Sequence, residues 1–449
     1  MKTRTEKDSL GSIKVPADKS WGAQTQRALM HFSINDELMP CELIKALAIC
    51  KKSAALANQE LKLLTKDQCK RIVKAADEII AGKLCEHFPL HVWQSGSGTQ
   101  TNMNMNEVIA NLTKHSIHPN DHVNLSQSSN DIFSTAMHVT AARAITDRLL
   151  PSLATLIDSL QKKQHKFKNI IKIARTHLQD AVPMTFGQEF LVFIAQLDDN
   201  VNRIKIALNG LYKLPAGGTA VGTGLNAPSK FAKLFLAELN KITSLPFKPA
   251  KNKFALIAVH DDLVFCGSAL KTLATSLFKI ANDIRWLSSG PRCGLGELII
   301  PANEPGSSIM PGKVNPTQCE MMQMVCAQVI GNDAAITFAG SQGNLQLNTF
   351  KPVIIYNLLQ SINLLSDASC LFAKYLIDGL KVNQEKIDNY VQNSLMLVTA
   401  LCPHIGYDKA AKASHYAAKH NLSLKEACVK LKILSKDKFD KLVDVKKMV

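Results

Sequence analysis

Two hydroxyls, one ammonium and one amide fall within nine residues of the run Gly306-Ser307-Ser308-Ile309-Met310-Pro311-Gly312-Lys313-Val314-Asn315-Pro316. Such a donor set suits a carboxylate or a phosphate. The interleaved glycine and proline exclude regular helix and central strand. The run closes an irregular stretch, Ser288 to Asn315, broken by Gly290, Pro291, Gly294, Gly296, Pro301, Pro305, Pro311 and Gly312. Irregular stretches this long in compact proteins are usually functional or disordered. Ile299, Ile300, Ile309 and Met310, with a strong helix start at the end, favour function. Asn315 reads as an N-cap, Pro316 as the first helical residue and Gln318 as the capping-box partner. The helix N-terminus beside Lys313 then adds free N–H groups and a positive dipole end. A capped surface loop is the structural alternative.

Three more segments are rich in small polar residues and lack helical periodicity. Gln94-Ser-Gly-Ser-Gly-Thr-Gln-Thr-Asn-Met-Asn-Met-Asn-Glu107 is no dinucleotide fingerprint, because no strand precedes it and the third glycine is missing. It reads as a polar turn before a helix or as a ligand contact. His118-Pro-Asn-Asp-His-Val-Asn-Leu-Ser-Gln-Ser-Ser-Asn-Asp131 ends where a long helix begins, so Ser128 or Ser129 can cap that helix and Asp131 lies in its first turn. Arg175-Thr176-His177-Leu178-Gln179-Asp180 sits in the loop before a second helix start. His118 and His122 have i,i+4 spacing, but Pro119 forbids a regular helix between them, and no metal site is expected there.

Long helices must position these segments. Ile132, Ala136, Val139, Ile145, Leu149, Leu153, Leu156 and Leu160 recur at helical spacing, with a kink expected at Pro151. Further helices are expected over about Thr185–Leu211, opened by a Thr185–Gln188 capping box, Phe254–Leu287, Pro316–Phe338 and Pro352–Leu380. Length and short connections predict a mainly α fold built on a long-helix bundle. Shorter helices and polar loops flank it, which gives an N-terminal domain 1–127, a central bundle 128–384 and a small helical C-terminal domain 385–449.

The 449-residue chain is long enough for a large core, and its hydrophobic content of 46% is ordinary for a globular protein. No apolar run approaches a membrane span. The N-terminus lacks a signal-peptide apolar region, and Glu6 and Asp8 argue against a transit peptide, so a cytoplasmic location is expected. Eleven scattered cysteines without a Cys-x-x-Cys pair fit reduced thiols. Cys293 and Cys319 flank the polar run with no base paired to them and read as packing residues. The net charge of +16 comes from dispersed lysines without an aromatic-plus-basic stripe, so neither nucleic acid nor a membrane is the expected partner.

Taken together, these segments resemble the fumarase/aspartase superfamily, and class II fumarases within it. Gly306–Pro316 is similar to the superfamily signature. Trp93–Gln100, Gln127–Asp131, Thr176–Asp180, Gly217-Gly-Thr-Ala-Val-Gly-Thr-Gly224, Val15-Pro-Ala-Asp18 and His404-Ile-Gly-Tyr-Asp-Lys-Ala-Ala411 also resemble class II fumarase, in order and over essentially the whole chain. The resemblance implies a homotetramer whose subunits pool their long helices into a twenty-helix core, each active site drawing on three subunits. It implies reversible hydration of fumarate to (S)-malate, a step of the tricarboxylic acid cycle, without metal or cofactor.

By resemblance, Ser307 takes the carbon-bound proton, His177 handles the oxygen side and Glu320 orients His177. The dicarboxylate would lie among Ser97, Thr99, Ser128, Ser129, Asn130, Thr176, Ser308, Lys313 and Asn315. Charge that develops on an aci-carboxylate needs such oriented donors. Aspartate ammonia-lyase is the alternative. Ala181–Thr185, Asn120–Asn124 and Gln346-Leu347-Asn348 look aspartase-like, but those enzymes usually carry glutamine where this chain has His177. The resemblance also places a peripheral anion site at His118, Asn120 and Asp121. There the usual arginine is absent, His115 stands near its place, and Leu125 replaces a lysine, which counts against anion binding.

Overall fold

Alternating exposure along Thr3–Asp8 (β1) and Gly11–Pro16 (β2) builds an antiparallel hairpin at the start of the chain. The structure, a computed structural model, describes residues 2–114 and 116–449. Helices α1 (Ala23–His31), α2 (Cys41–Glu60), α3 (Lys66–Ile80) and α4 (Thr99–Leu112) follow. A Thr65–Gln68 capping box opens α3. Helix α2 is buried along most of its length and packs against α3, α5 (Ser129–Ala144) and α8 (Phe231–Thr243).

The helix expected through Pro151 is realised as α5, a π-wound segment Ile145–Leu149 and α6 (Leu150–Phe167). Proline cannot donate an N–H, and the change of winding falls just before it. A hairpin, β3 (Ile171–Thr176) and β4 (Gln179–Thr185), then leads into α7 (Phe186–Leu211). The sequence predicts only a loop over Arg175–Asp180, and the structure differs there. The expected Thr185–Gln188 box is present, with Gln188 N–H donating to Thr185 Oγ1 at 3.0 Å and Thr185 N–H to Gln188 Oε1 at 2.9 Å.

The short strands β5 (Lys213–Leu214) and β6 (Lys248–Pro249) pair in parallel on either side of α8. The single helix expected over Phe254–Leu287 is two, α9 (Lys253–Ala258) and α10 (Asp261–Leu287), because Val259 is extended and Asp261 and Asp262 start a new helix. Strands β7 (Leu298–Ile299) and β8 (Lys381–Val382) pair across α11 (Thr317–Ser341) and α12 (Lys351–Phe372). Short helices α13 (Gln384–Asn393), α14 (Cys402–Ile405), α15 (Tyr407–His420), α16 (Leu424–Lys430) and α17 (Lys436–Leu442) complete the chain.

The chain divides into two compact units, Met1–Pro151 with Asn200–Ala274 and Val325–Ser366, and Ser152–Asp199 with Thr275–Met324 and Asp367–Val449. Every internal boundary falls inside or between long helices. In the first unit the core includes the aliphatic Leu43, Leu47, Ile72, Val108 and Ile132 and the aromatic Phe133, Phe231 and Phe235. In the second, Phe167 packs edge-on against Phe186 and Phe190. A separate cluster of Ile173, Val391, Leu401, Ala413, Leu424, Cys428 and Phe439 ties its C-terminal helices to β3.

Two long helices are apolar on more than their buried side. Helix α11 buries Met322, Cys326, Val329 and Ile336 yet exposes Met324, Ile330 and Phe338. Helix α10 has the length and hydropathy to cross a bilayer, but half of that window is buried within the chain. Cys319 is buried, as expected, and burial pushes its thiol up to about 12. Cys293, expected to pack, is instead exposed, because it lies in the turn-rich 288–296 loop.

Candidate active site

In the first unit, two helix N-termini carry the polar residues. Gln94 Oε1 accepts from Thr101 N–H at 3.1 Å and from Thr101 Oγ1 at 2.8 Å, which holds the first turn of α4. Ser97 Oγ, nearly buried, lies 3.0 Å from Ser95 Oγ and 2.8 Å from Thr99 Oγ1. Gly98, just before α4, has φ +77, a conformation glycine adopts without penalty. Gly96 is required by close approach, since a Cβ there would sit 1.4 Å from the Thr349 carbonyl oxygen.

Ser128 caps α5 and forms the box with Asp131: Asn130 N–H donates to Ser128 Oγ at 3.3 Å, and Ser128 N–H donates to Asp131 Oδ1 at 2.9 Å. Asn102 on α4 donates to Ser129 Oγ at 2.9 Å and to Asn124 Oδ1 at 3.1 Å, so the two helix starts share one network. Asn130 Nδ2 donates to the Ala220 carbonyl at 2.8 Å. Thus the structure brings together Ser97 with Thr99, and Ser128 with Ser129 and Asn130.

Three buried ionisable side chains lie under these segments. Asp131 Oδ2 accepts from Gly217 N–H at 3.0 Å and Thr219 N–H at 2.9 Å, which folds the Gly217–Gly224 run around it. Burial pushes its carboxyl up to about 6. Lys51 Nζ donates to Asn124 Oδ1 and Gln127 Oε1, both at 3.0 Å. Lys351 Nζ donates to the Asn130 carbonyl at 3.0 Å, while its backbone N–H donates to Gly96 O at 3.0 Å. Burial pushes both ammonium groups down to about 7, and Asp131 opposes each shift. Sequence reasoning missed both lysines, because each looks like a surface residue among many lysines. The one available signal was the apolar context of Lys51 between Ile49-Cys50 and Ala54-Ala55.

In the second unit, His177 and Leu178 form the two-residue tip of the β3–β4 hairpin, with φ +57 and +59. Two successive positive φ values match the type I′ turn that suits a tight hairpin, and that turn normally prefers Asn and Gly. A histidine and a leucine held there store local strain, a pattern that clusters at functional sites. Thr176 and His177 are exposed. The hairpin base is clamped. Arg175 Nη1 lies 2.6 Å from Glu297 Oε1, and Lys172 Nζ pairs with Glu297 at 3.0 Å and with Glu189 at 2.8 Å. Glu297 is fully buried and Lys172 nearly so.

The Gly306–Pro316 loop belongs to the same unit. Gly306 N–H donates to Lys313 O at 3.0 Å, and Asn315 Nδ2 donates to Gly306 O at 2.5 Å, which closes the loop at its base. The expected helix cap is therefore corrected. Helix α11 starts at Thr317, the Pro316 carbonyl takes the Glu320 N–H, and Asn315 holds the loop instead. Gln318 Oε1 is buried without a partner among the described residues, so it completes no capping box. Ser307 Oγ accepts from the N–H groups of Ile309 at 3.2 Å and Met310 at 3.0 Å. Ser308 and Lys313 are exposed, and Glu320 lies half-buried in the first turn of α11. Among the described residues His177 makes no hydrogen bond or ion pair with Ser307 or Glu320.

At the peripheral segment, Pro119–Val123 forms a single π turn. His118 Nδ1 accepts from Asp121 N–H at 3.0 Å and lies 3.1 Å from Asp121 Oδ2, while His122 Nδ1 accepts from His118 N–H at 2.8 Å. These groups serve the turn itself, and Asn120 is exposed beside them. His115 lies outside the described residues.

The first unit thus carries hydroxyl and amide groups at two helix starts, and the second carries a serine oxygen under two N–H groups and an exposed histidine on a strained tip. Residues 11–331 match the family described as "Lyase", and residues 397–449 match "Fumarase C C-terminus". The chain is 57% identical to the class II fumarate hydratase of Thermosynechococcus vestitus, covering 100% of this chain and 98% of the relative. It is 54% identical to the class II fumarate hydratase of Helicobacter pylori, covering 100% and 99%. The crystal structure of class II fumarase from Schistosoma mansoni superposes with a TM-score of 0.98 at 46% identity, over 100% of this chain and 99% of that one. The fold is that of a helical lyase of the fumarase/aspartase superfamily. Within it, this chain belongs to the class II fumarases. The aspartate ammonia-lyase alternative gains no support from these matches.

Proposed function

We propose that the chain is a fumarate hydratase that interconverts fumarate and (S)-malate, with Ser307 and His177 as its two proton-transfer groups. The observation that carries the residue assignment is the pair of backbone N–H groups directed at Ser307 Oγ. Donors aimed at an oxygen favour its ionised form, and a serine must ionise to remove a proton from carbon.

In the dehydrating direction Ser307 takes the proton from the carbon next to one carboxylate. The electron pair moves into that carboxylate and forms the aci-carboxylate. Lys313, Asn315 and the donors Thr99, Ser129, Asn130 and Thr176 stabilise the added charge, with Ser97, Ser128 and Ser308 completing the polar lining. The electron pair then returns to form the double bond as the hydroxyl leaves, and His177 supplies the proton that turns it into water. Hydration runs the same steps backwards. Glu320 orients the His177 ring. These groups supply both proton transfers and the charge stabilisation, so the reading calls for no metal or cofactor.

The same reading includes a homotetramer with sites built from three subunits. It is supported by the outward apolar residues of α11, since a helix apolar all round belongs in an interior. It is supported too by His177 making, among the described residues, no hydrogen bond or ion pair with Glu320 within one chain. The three-part organisation 1–127, 128–384 and 385–449, a cytoplasmic location, a place in the tricarboxylic acid cycle and the absence of nucleic-acid or membrane partners belong to this proposal. His118, Asn120 and Asp121 have no role in it.

The test is fumarate absorbance in the far ultraviolet after protein is added to malate, and the reverse loss when fumarate is supplied. Ser307→Ala is expected to lower kcat by about 10²–10⁴ with an unchanged melting curve. Absence of turnover in both directions by the folded wild-type protein would sink the proposal.

A further inference from the structure

Cys41 opens α2 directly after Pro40, and Cys85 opens the 3₁₀ turn Cys85–His87. They lie 44 positions apart in sequence, yet their sulfur atoms are 3.0 Å apart. A disulfide holds its sulfurs at about 2.05 Å, so an approach of about 1 Å separates this thiol pair from a bond. Both residues belong to the first compact unit. Among the described residues no other two cysteine sulfurs are within hydrogen-bonding reach of each other. Cys50, Cys69, Cys266, Cys319, Cys326 and Cys428 are buried, whereas Cys85 is exposed and Cys41 half-buried.

We propose that Cys41 and Cys85 form a reversible dithiol–disulfide site whose oxidant is hydrogen peroxide. The Cys85 thiolate attacks the peroxide O–O bond. An S–O bond forms, the O–O bond breaks, and the departing hydroxide takes a proton and leaves as water. The sulfur of Cys41 then attacks the Cys85 sulfenic acid. The S–S bond forms, the S–O bond breaks, and the hydroxide leaves as a second water with the Cys41 proton. Two electrons pass from the sulfur pair to the peroxide, and a small-molecule thiol reverses the bond by exchange. Exposure decides the order, since the oxidant reaches Cys85 first. Burial and the neighbouring Cys85 push the Cys41 thiol up to about 11, which suits a resolving partner that stays protonated until the sulfenic acid appears beside it.

The bond would enclose α2 and α3 and fix the start of the segment leading to Ser97 and Thr99. That segment is otherwise held by the Lys19–Glu86 ion pair at 2.8 Å, by the buried Phe88, Leu90 and Val92, and by hydrogen bonds. Ser20 N–H donates to His87 Nδ1 at 3.0 Å, Asn104 Nδ2 to His87 O at 3.1 Å, Met39 N–H to Leu90 O at 2.9 Å and Val92 N–H to Glu37 O at 2.8 Å. A link across a loop of this length restrains the unfolded chain, so the oxidised protein should be the more heat-resistant form.

The experiment treats the full-length protein with hydrogen peroxide, alkylates the remaining thiols and maps peptides without reduction. Expected are a Cys41–Cys85 linked peptide, loss of two of the eleven alkylatable thiols, recovery of both with dithiothreitol, and a higher melting temperature for the oxidised form. Cys41→Ser and Cys85→Ser should keep the activity of the reduced enzyme and lose the thermal shift. In Cys41→Ser, Cys85 should accumulate as a sulfenic acid trapped by dimedone. The proposal is overturned if both thiols remain alkylatable after peroxide, if wild-type Cys85 proceeds to sulfinic acid without the link, or if either cysteine joins another chain instead.

Discussion

In the proposed mechanism His177 and Ser307 reach reactivity by different routes. Ser307 gains it from two N–H donors, His177 from exposure on a turn whose backbone suits other residues better. Asparagine tolerates the positive φ at position 177, so His177→Asn should fold normally yet lose the proton relay to water. The expected loss is about 10²–10⁴ in kcat, with KM changed far less, read from fumarate absorbance beside a melting curve. The buried trio makes a separate prediction about pH. The folded protein holds the Asp131 proton up to about pH 6, against an ordinary value of 3.8, so stability falls as pH rises between those values. Lys51 and Lys351 release protons near 7 instead of 10.5, so the unfolded chain binds more protons above pH 7 and stability rises from there towards 10.5. Below pH 7 both lysines are protonated in both states, and this contribution is flat. Lys51→Met should flatten the rise by a few kcal/mol, at about 1.4 kcal/mol per pKa unit. Denaturant titrations at pH 7 and pH 10 measure it.

At the scale of elements, the hairpin β3–β4 presents His177 only because its base is fixed. Glu297 sits between Lys172 and Arg175 and joins the hairpin to the irregular stretch that precedes the Ser307 loop. Removing one partner of a buried ion pair costs about 3–5 kcal/mol, because the other charges are left without compensation. Glu297→Ala is therefore expected to destabilise the protein by that amount and to speed amide exchange in Ile171–Thr185 more than in α4. Hydrogen exchange with thermal denaturation checks both halves. The helix starts at α4 and α5 work in the complementary way. Asn102 holds Ser129, Ser97 holds Thr99 and the Ala220 carbonyl holds Asn130, so each polar group stands at a fixed place on its helix start.

At the scale of the whole molecule, the proposed site is distributed over copies of the chain. Proteins carrying His177→Asn and Ser307→Ala would each be inactive, yet mixed assemblies would contain sites with both groups intact. Unfolding and refolding the two together at equal concentration should restore about a quarter of the wild-type sites, as random assortment in a closed symmetric assembly requires. Activity of the refolded mixture, compared with each parent treated alone, is the measurement. No recovery would place both groups of a site on one subunit. The outward Met324, Ile330 and Phe338 of α11 point the same way, since that surface is costly to leave in water.

By itself the sequence determined the helical architecture, the polar segments and their membership in one superfamily, because periodicity, caps and turn residues act over a few positions. The Ser128–Asp131 and Thr185–Gln188 boxes were legible for that reason, and both are formed. Local reasoning failed where a distant group competed for the same side chain. Asn315 reads as a cap but closes its loop through Gly306, nine positions back. Burial of Lys51 and Lys351 beside Asp131, and the strained hairpin tip at His177, were decided only by tertiary structure. A lysine in a lysine-rich chain carries no mark of the dielectric around it, and a positive φ on histidine follows from the pairing of β3 with β4, not from the residue itself. Electrostatic environment and turn geometry are properties of what packs around a residue, and the chain reveals them only once it is folded.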